Sequence, residues 1–205
     1  MDTDTELLAA WRAGDDVAGN RLVKRHFTAV YRFFRNKVDG DLDELVQATF
    51  TRMTVGADRI EAGAFRGFLF AIARNVLREH YRARAKHRGI IDFESRSVVD
   101  LGTSPTGVLA RKQSHRLLLA GLRSIPLQEQ VALELVYWEG MTGKEVGQVM
   151  GVPEGTARTR LRSARLSLEA ALARLARSPD ALASTRDNLE RWITAIRDYI
   201  GEPAS

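Results

Sequence analysis

Apolar residues recur at three- and four-residue spacing through almost the whole chain, and this rhythm leaves α-helix as the regular structure the sequence can build. Leu22, Val30, Phe33 or Phe34, and Val38 form one stripe, with His26 or Phe27 as its second member. Leu42, Leu45, Val46, Thr49, Phe50 and Met53 form another, and Phe65, Phe68, Leu69, Ile72 and Val76 a third. No alternating apolar–polar run flanks a hairpin turn signal. The spacing predicts helices over about 4–13, 17–38, 41–53 and 65–87, with a loop over 55–64 that carries Gly56 and Gly63. Asp41, Asp43 and Glu44 fall in the first turn of the third helix, where carboxylates suit the positive helix end. Four helices of this kind can close one small bundle.

The rhythm stops at Gly89. Residues 89–103 mix Asp, Ser, Val and Gly without period and read as a flexible linker. Ser104-Pro105 then has the form of a helix start, with Ser as cap and Pro at the first helical position. The expected fold class is therefore all-α: two small helical domains (1–88 and 104–177) joined by a linker, plus a helical extension over 178–205. In that extension Leu182, Leu189, Ile193, Ile196 and Ile200 repeat at helical spacing. A lone amphipathic helix of this length needs a surface to pack on.

The second domain holds the most informative stretch. Leu127, Val131, Leu135 and Trp138 describe a helix ended by Gly140. Thr142-Gly143-Lys144-Glu145 has the form of a capping box that opens a short helix, with Val146, Val149 and Met150 facing inward. Gly151-Val152-Pro153 breaks the chain, and a long helix follows from about Glu154. Two helices around a tight glycine-containing turn make a helix-turn-helix. On the second, Arg158, Arg162 and Arg165 share a face with Thr159 at its margin, beside an apolar face of Ala157, Leu161, Ala164, Leu168 and Leu172. Such a helix packs on one side and presents guanidiniums on the other. Guanidiniums can read guanine edges in a major groove or grip phosphates. The formal net charge of +5 agrees with a polyanionic partner.

Here the chain resembles the extracytoplasmic-function (ECF) family of RNA polymerase sigma factors. Leu122-Arg123-Ser124-Ile125-Pro126, Glu139-Gly140-Met141-Thr142, Gly151 through Leu161 and Ala164-Arg165 resemble the domain of that family that binds the promoter −35 element. Leu7 through Asp15 is similar to the opening helix of its other domain, Asp43 through Phe50 to the polymerase-clamp helix, and Phe65 through Asn75 to the segment that meets the −10 element. The resemblance spans residues 5 to about 173. It departs at Ala48, where an acid is frequent, and at Gly143, where an aromatic is common.

The resemblance implies a factor that binds core RNA polymerase and promoter DNA and helps to melt the −10 region. It places Thr156, Arg158, Thr159, Arg160, Arg162 and Arg165 on −35 DNA, and Asp43, Gln47 and Phe50 on polymerase, although Phe50 fits the core better by its spacing. It makes a −10 pocket of the loop Ile60, Glu61, Ala62, Gly63 and Ala64 with Asn75, beside Arg78, Arg82 and Lys86. Phe68 and Tyr81 are candidates to stack on bases, although Phe68 also fits the core by spacing and Tyr81 fits either place. It also allows control by an anti-sigma protein; the 178–205 extension lies outside the resemblance and reads first as a helix completing the core of the second domain, with a built-in substitute for an anti-sigma partner as the alternative.

Other classes find less support. A stand-alone dimeric regulator would use the same helix-turn-helix on a palindrome, but leaves the Phe/Arg/Asn helix of the first domain unexplained. Absent cysteine excludes disulfides and thiolate metal sites, and the histidines His26, His80, His87 and His115 form no H-E-x-x-H pattern. No metal, cofactor or catalytic residue is therefore expected, and the chain does not read as an enzyme. No apolar run approaches the ~18 residues of a membrane span, and the polar N-terminus is unlike a secretory signal, so the expectation is a cytoplasmic protein without membrane insertion.

Overall fold

The computed structural model describes residues 3–61, 63–85, 95–102 and 113–176. Among them are eight α-helices and no strand: α1 (Asp4–Arg12), α2 (Asp16–Arg35), α3 (Leu42–Gly56), α4 (Phe65–Ala85), α5 (Gln113–Ser124), α6 (Leu127–Tyr137), α7 (Gly143–Met150) and α8 (Glu154–Leu175). A 3-10 turn, Ala57–Arg59, extends α3, so the loop expected from residue 55 is shorter than its glycines suggest. Ala62, Lys86, the Ser104-Pro105 helix start and the 178–205 extension lie outside the described residues.

Local chemistry sets the helix starts. Thr3 and Glu6 form a reciprocal capping box on α1, and Asp15 accepts from the Val17 and Ala18 amides at the head of α2. Asp41 differs from expectation. It precedes α3 in a left-handed conformation (φ +53°) and its carboxylate makes no cap bond, so only Asp43 and Glu44 stand in the first turn.

The helix-turn-helix forms as the spacing predicts. Thr142 accepts from the Glu145 amide, and the Glu145 carboxylate accepts from the Thr142 amide at 2.7 Å. Gly151 closes α7 at φ +65°, a conformation costly to a residue with a β-carbon. Gly147 lets the turn fold tightly: a β-carbon there would lie 2.8 Å from the Val152 carbonyl oxygen.

The two helical groups do not keep separate cores. One apolar cluster runs from Leu7 and Leu22 through Phe34, Leu69 and Phe70 to Leu127, Val131, Val146, Val149 and Ala157. It joins α1–α4 to α6–α8, with α4 packed along α7. A second cluster belongs to the C-terminal group alone and is built from Leu118, Leu122, Leu133, Trp138, Ala164, Leu168 and Leu172.

Part of the expected linker is anchored to this body. Val98 is fully buried, Leu101 nearly so, and the Leu127 amide donates to the Arg96 carbonyl at 2.8 Å. The absence of period over 89–103 signalled irregular backbone, but two apolar residues suffice to dock 95–102.

Candidate nucleic-acid interface

α8 buries Ala157, Ala164, Leu168, Ala171 and Leu172, and this fixes what it shows to solvent. At about 100° per residue, the exposed arc centres on Thr159 and Arg162. Arg158 and Arg165 flank it on one side, Thr156 and Arg160 on the other. Thr159 is thus central rather than marginal. Arg160 is half-buried at the far edge, well away from Arg158. Arg158 lies along its own helix and donates to Glu154 Oε1 at 2.6 and 3.0 Å. The Arg165 guanidinium sits over the Tyr137 ring, 5.5 Å from its centroid.

A second cationic surface lies on α3 and α4. Arg52, Ile72, Asn75, Arg78, Glu79 and Arg82 line an open pocket of about 180 Å³. Arg52 and Glu79 face each other as a two-bonded pair at 2.8 and 2.6 Å. The hydrogen bonds from Arg52 hold the Glu79 carboxyl below its usual range. The sequence reading gathered Asn75, Arg78 and Arg82 on one helix face, and the structure brings them together. It missed Arg52, because nothing local to α3 shows which α4 residue it meets.

Other expected members of this site lie elsewhere. Tyr81 is buried and its hydroxyl donates to the Lys37 carbonyl, so in this conformation the ring is core and offers no stacking surface. The Ile60 side chain is likewise buried, while Glu61 and Gly63 are exposed and Ala64 half-buried. Phe68 is half-buried against Gly56, where a β-carbon would meet its ring at 2.8 Å.

A third surface combines Asp43 and Gln47, both exposed, with half-buried Phe50 on one side of α3. Phe27 extends it, stacking on Phe50 at 6.2 Å and 8° and on Tyr31 at 6.3 Å and 22°. Spacing alone left His26 and Phe27 as alternatives for the core. His26 turns inward, bonded to Asp4 at 2.8 Å, and Phe27 turns outward, 46% exposed. Among the described residues no cluster of His, Asp or Glu could hold a metal ion, and no helix is long and apolar enough to cross a membrane.

These surfaces fall within two family patterns. Residues 22–87 match Sigma-70 region 2, and residues 115–168 match Sigma-70 region 4, in that order. The ECF sigma factor BldN of Streptomyces coelicolor is 27% identical over 158 residues, 75% of this chain and 60% of the relative. SigE of Mycolicibacterium smegmatis, also an ECF sigma factor, is 29% identical over 161 residues, 76% of this chain and 62% of the relative. The chain belongs to the ECF sigma factor family.

The sigma factor spans about three-fifths of the length of these two relatives. The ECF sigma-E factor of Escherichia coli K12 is 25% identical over 177 residues, covering 82% of this chain and 93% of that one. Among solved structures, CnrH in complex with the cytosolic domain of CnrY is similar in fold. Its TM-score is 0.61 at 24% identity, over 84% of this chain and 98% of that one. In this sigma factor α8 as far as Leu168, with Arg158, Arg160, Arg162 and Arg165, falls in the region 4 match, and the α3–α4 pocket and the Phe27–Phe50 surface fall in the region 2 match.

Proposed function

We propose that this sigma factor binds core RNA polymerase and directs promoter-specific initiation, reading −35 duplex with α8 and holding the opened −10 strand on α3–α4. The observation that carries this reading is the presence of two separate cationic surfaces, one on each matched region. The α8 arc is a rigid helix face with Thr159 and Arg162 at its centre and Arg158 beside them, a shape suited to a major groove. The α3–α4 pocket differs in kind. It pairs an amide, Asn75, with guanidiniums in an open concavity, which suits an unpaired base and its flanking phosphates. Arg52 and Glu79 join Asn75, Arg78 and Arg82 as its proposed residues.

Asp43, Gln47 and Phe50, widened by Phe27, form the proposed polymerase-binding face. An exposed stack of aromatic rings rimmed by polar groups is the composition of a protein interface. The factor carries no proposed catalytic residue: its role is to bind, orient and open DNA for the polymerase, inside the cell. The proposed brake is an anti-sigma protein or, in its place, residues 178–205 of this chain. Deleting 178–205 should then raise promoter activity, and unchanged activity with unchanged folding would remove the segment from this role.

Run-off transcription with core polymerase on a library of promoter fragments tests the main reading. Transcripts that depend on the factor, sharing paired −35 and −10 sequences, are expected. Duplex binding without any factor-dependent transcript would favour a stand-alone regulator instead.

A further inference from the structure

The carbonyls of a helix's last turn have no partner within the helix, and a basic side chain near the end often supplies one. α3 has no basic residue in its last turn. Arg12, at the end of α1, reaches across instead. Its Nε donates to the Ala57 carbonyl at 3.0 Å, and its Nη2 donates both to that carbonyl and to the Ile60 carbonyl, each at 2.5 Å. The side chains of Ala57 and Ile60 are buried, so these two residues are held by the core and by Arg12 together.

The helix that carries Arg12 is itself fixed at both ends. At the start of α1, Asp4 accepts from Arg25 at 2.7 Å and is bonded to His26 at 2.8 Å. At its end the Trp11 ring lies on Gly19 of α2, where a β-carbon would meet it at 2.7 Å. Beyond Ile60 the chain turns at once. The Ala64 amide donates to the Glu61 carbonyl at 3.0 Å, and Gly63 takes φ +77°. Glu61 and Gly63 are exposed. α4 starts directly after this turn, and Asn75 of the cationic pocket stands about 15 Å further along it.

We infer that Arg12, which lines neither cationic surface, is a positioning residue for −10 reading: it fixes the backbone from which the turn carrying Glu61 and Gly63 springs. This rests on the initiation role proposed above and on the turn being part of the −10 site. One base is told from its rivals only where donors and acceptors are held within about half an ångström. A turn already in shape also loses no binding free energy to its own ordering. The guanidinium suits the task because its planar fork serves two acceptors at once, where an ammonium is a single point.

Arg12→Met keeps most of the side chain's bulk and removes its donors. In the full-length factor, amide hydrogen exchange at Ile60 and Ala64 should quicken about tenfold, with α6–α8 unchanged. Run-off transcription with core polymerase, on templates varied one base at a time, reads the consequence. The preference for the best −10 base over its rivals should fall about tenfold, the scale of one lost base contact, while the preference at −35 holds. Arg12→Lys keeps a charged donor without the fork. It should fall between Arg12→Met and the parent in both measurements, and it carries the test if Arg12→Met does not fold.

Faster exchange with unchanged −10 preference, in either variant, overturns the assignment and leaves Arg12 as a cap on α3. Unchanged exchange overturns it as well. So does an equal loss on every −10 sequence, the mark of a phosphate contact, or a joint loss at −10 and −35, the mark of a weakened fold. If the parent protein supports no factor-dependent transcript, the initiation role falls and the reading of the turn with it; faster exchange in the variants would then still identify Arg12 as what holds the turn.

Discussion

Gly143 lies directly beneath the Arg158 side chain: a β-carbon at 143 would sit 3.3 Å from Arg158 Cγ and 3.4 Å from its Nε. The residue by which α7 departs from the family's common aromatic is thus the one that gives the leading guanidinium of α8 its space. An aromatic ring at 143 would displace Arg158 from its present course toward Glu154.

Arg158 and Arg162 are expected to carry much of the −35 affinity. Arg158→Ala or Arg162→Ala should each weaken binding by roughly 1–3 kcal/mol if a base contact is lost, or lower the salt slope by about one if a phosphate contact is lost. Titrations on duplex −35 DNA at several salt concentrations separate the two cases. Arg160→Ala, at the half-buried edge of the arc, should have a smaller effect.

The start of α7 should depend on its cap. Thr142→Ala removes the acceptor for the Glu145 amide and leaves that donor without its partner. A loss of about 1 kcal/mol is expected in urea denaturation. Thr142→Ser, which keeps the hydroxyl, should retain most of that stability.

Stability should fall on mild acidification. Burial pushes both His26 and His80 below their ordinary value of 6.5, with Asp4 and Asp41 respectively opposing the shift. A folded value lower than the unfolded one means that the unfolded chain takes up protons first. Their contribution is complete above pH 6.5 and is lost as pH falls through the folded values. Urea midpoints should therefore drop between pH 7.5 and 5.5, and His26→Gln should flatten the slope.

Glu79 should restrain the −10 surface. It occupies Arg52 in the closed pair, so Glu79→Gln leaves Arg52 without its anionic partner at an exposed site. Binding of a single-stranded −10 oligonucleotide should tighten severalfold and become more salt-dependent. Arg52→Ala should weaken it. Equal affinity for both variants and the parent would take this pair out of the DNA site.

The sequence by itself determined what acts within a turn or two of the chain. The helical rhythm, the Thr142–Glu145 capping box, the Gly151 stop and the arginine side of α8 each depend on residues no more than a few positions apart, and all of them stand in the structure. Tertiary structure decided what depends on which helices meet. Tyr81 had an equal claim on base and core until the Lys37 carbonyl took its hydroxyl. His26 and Phe27 were interchangeable until Asp4, 22 residues from His26, drew that ring inward. Arg52 found Glu79 across 27 residues, and Lys37 found Glu134 across 97. In its own helix each of these charges looks like ordinary solvated surface. Which helices meet brings the exposed Arg52 to Glu79, and where packing also excludes water, as around Lys37 and Glu134, the cost of an unpaired ion selects the partner; neither pairing is written in any local window.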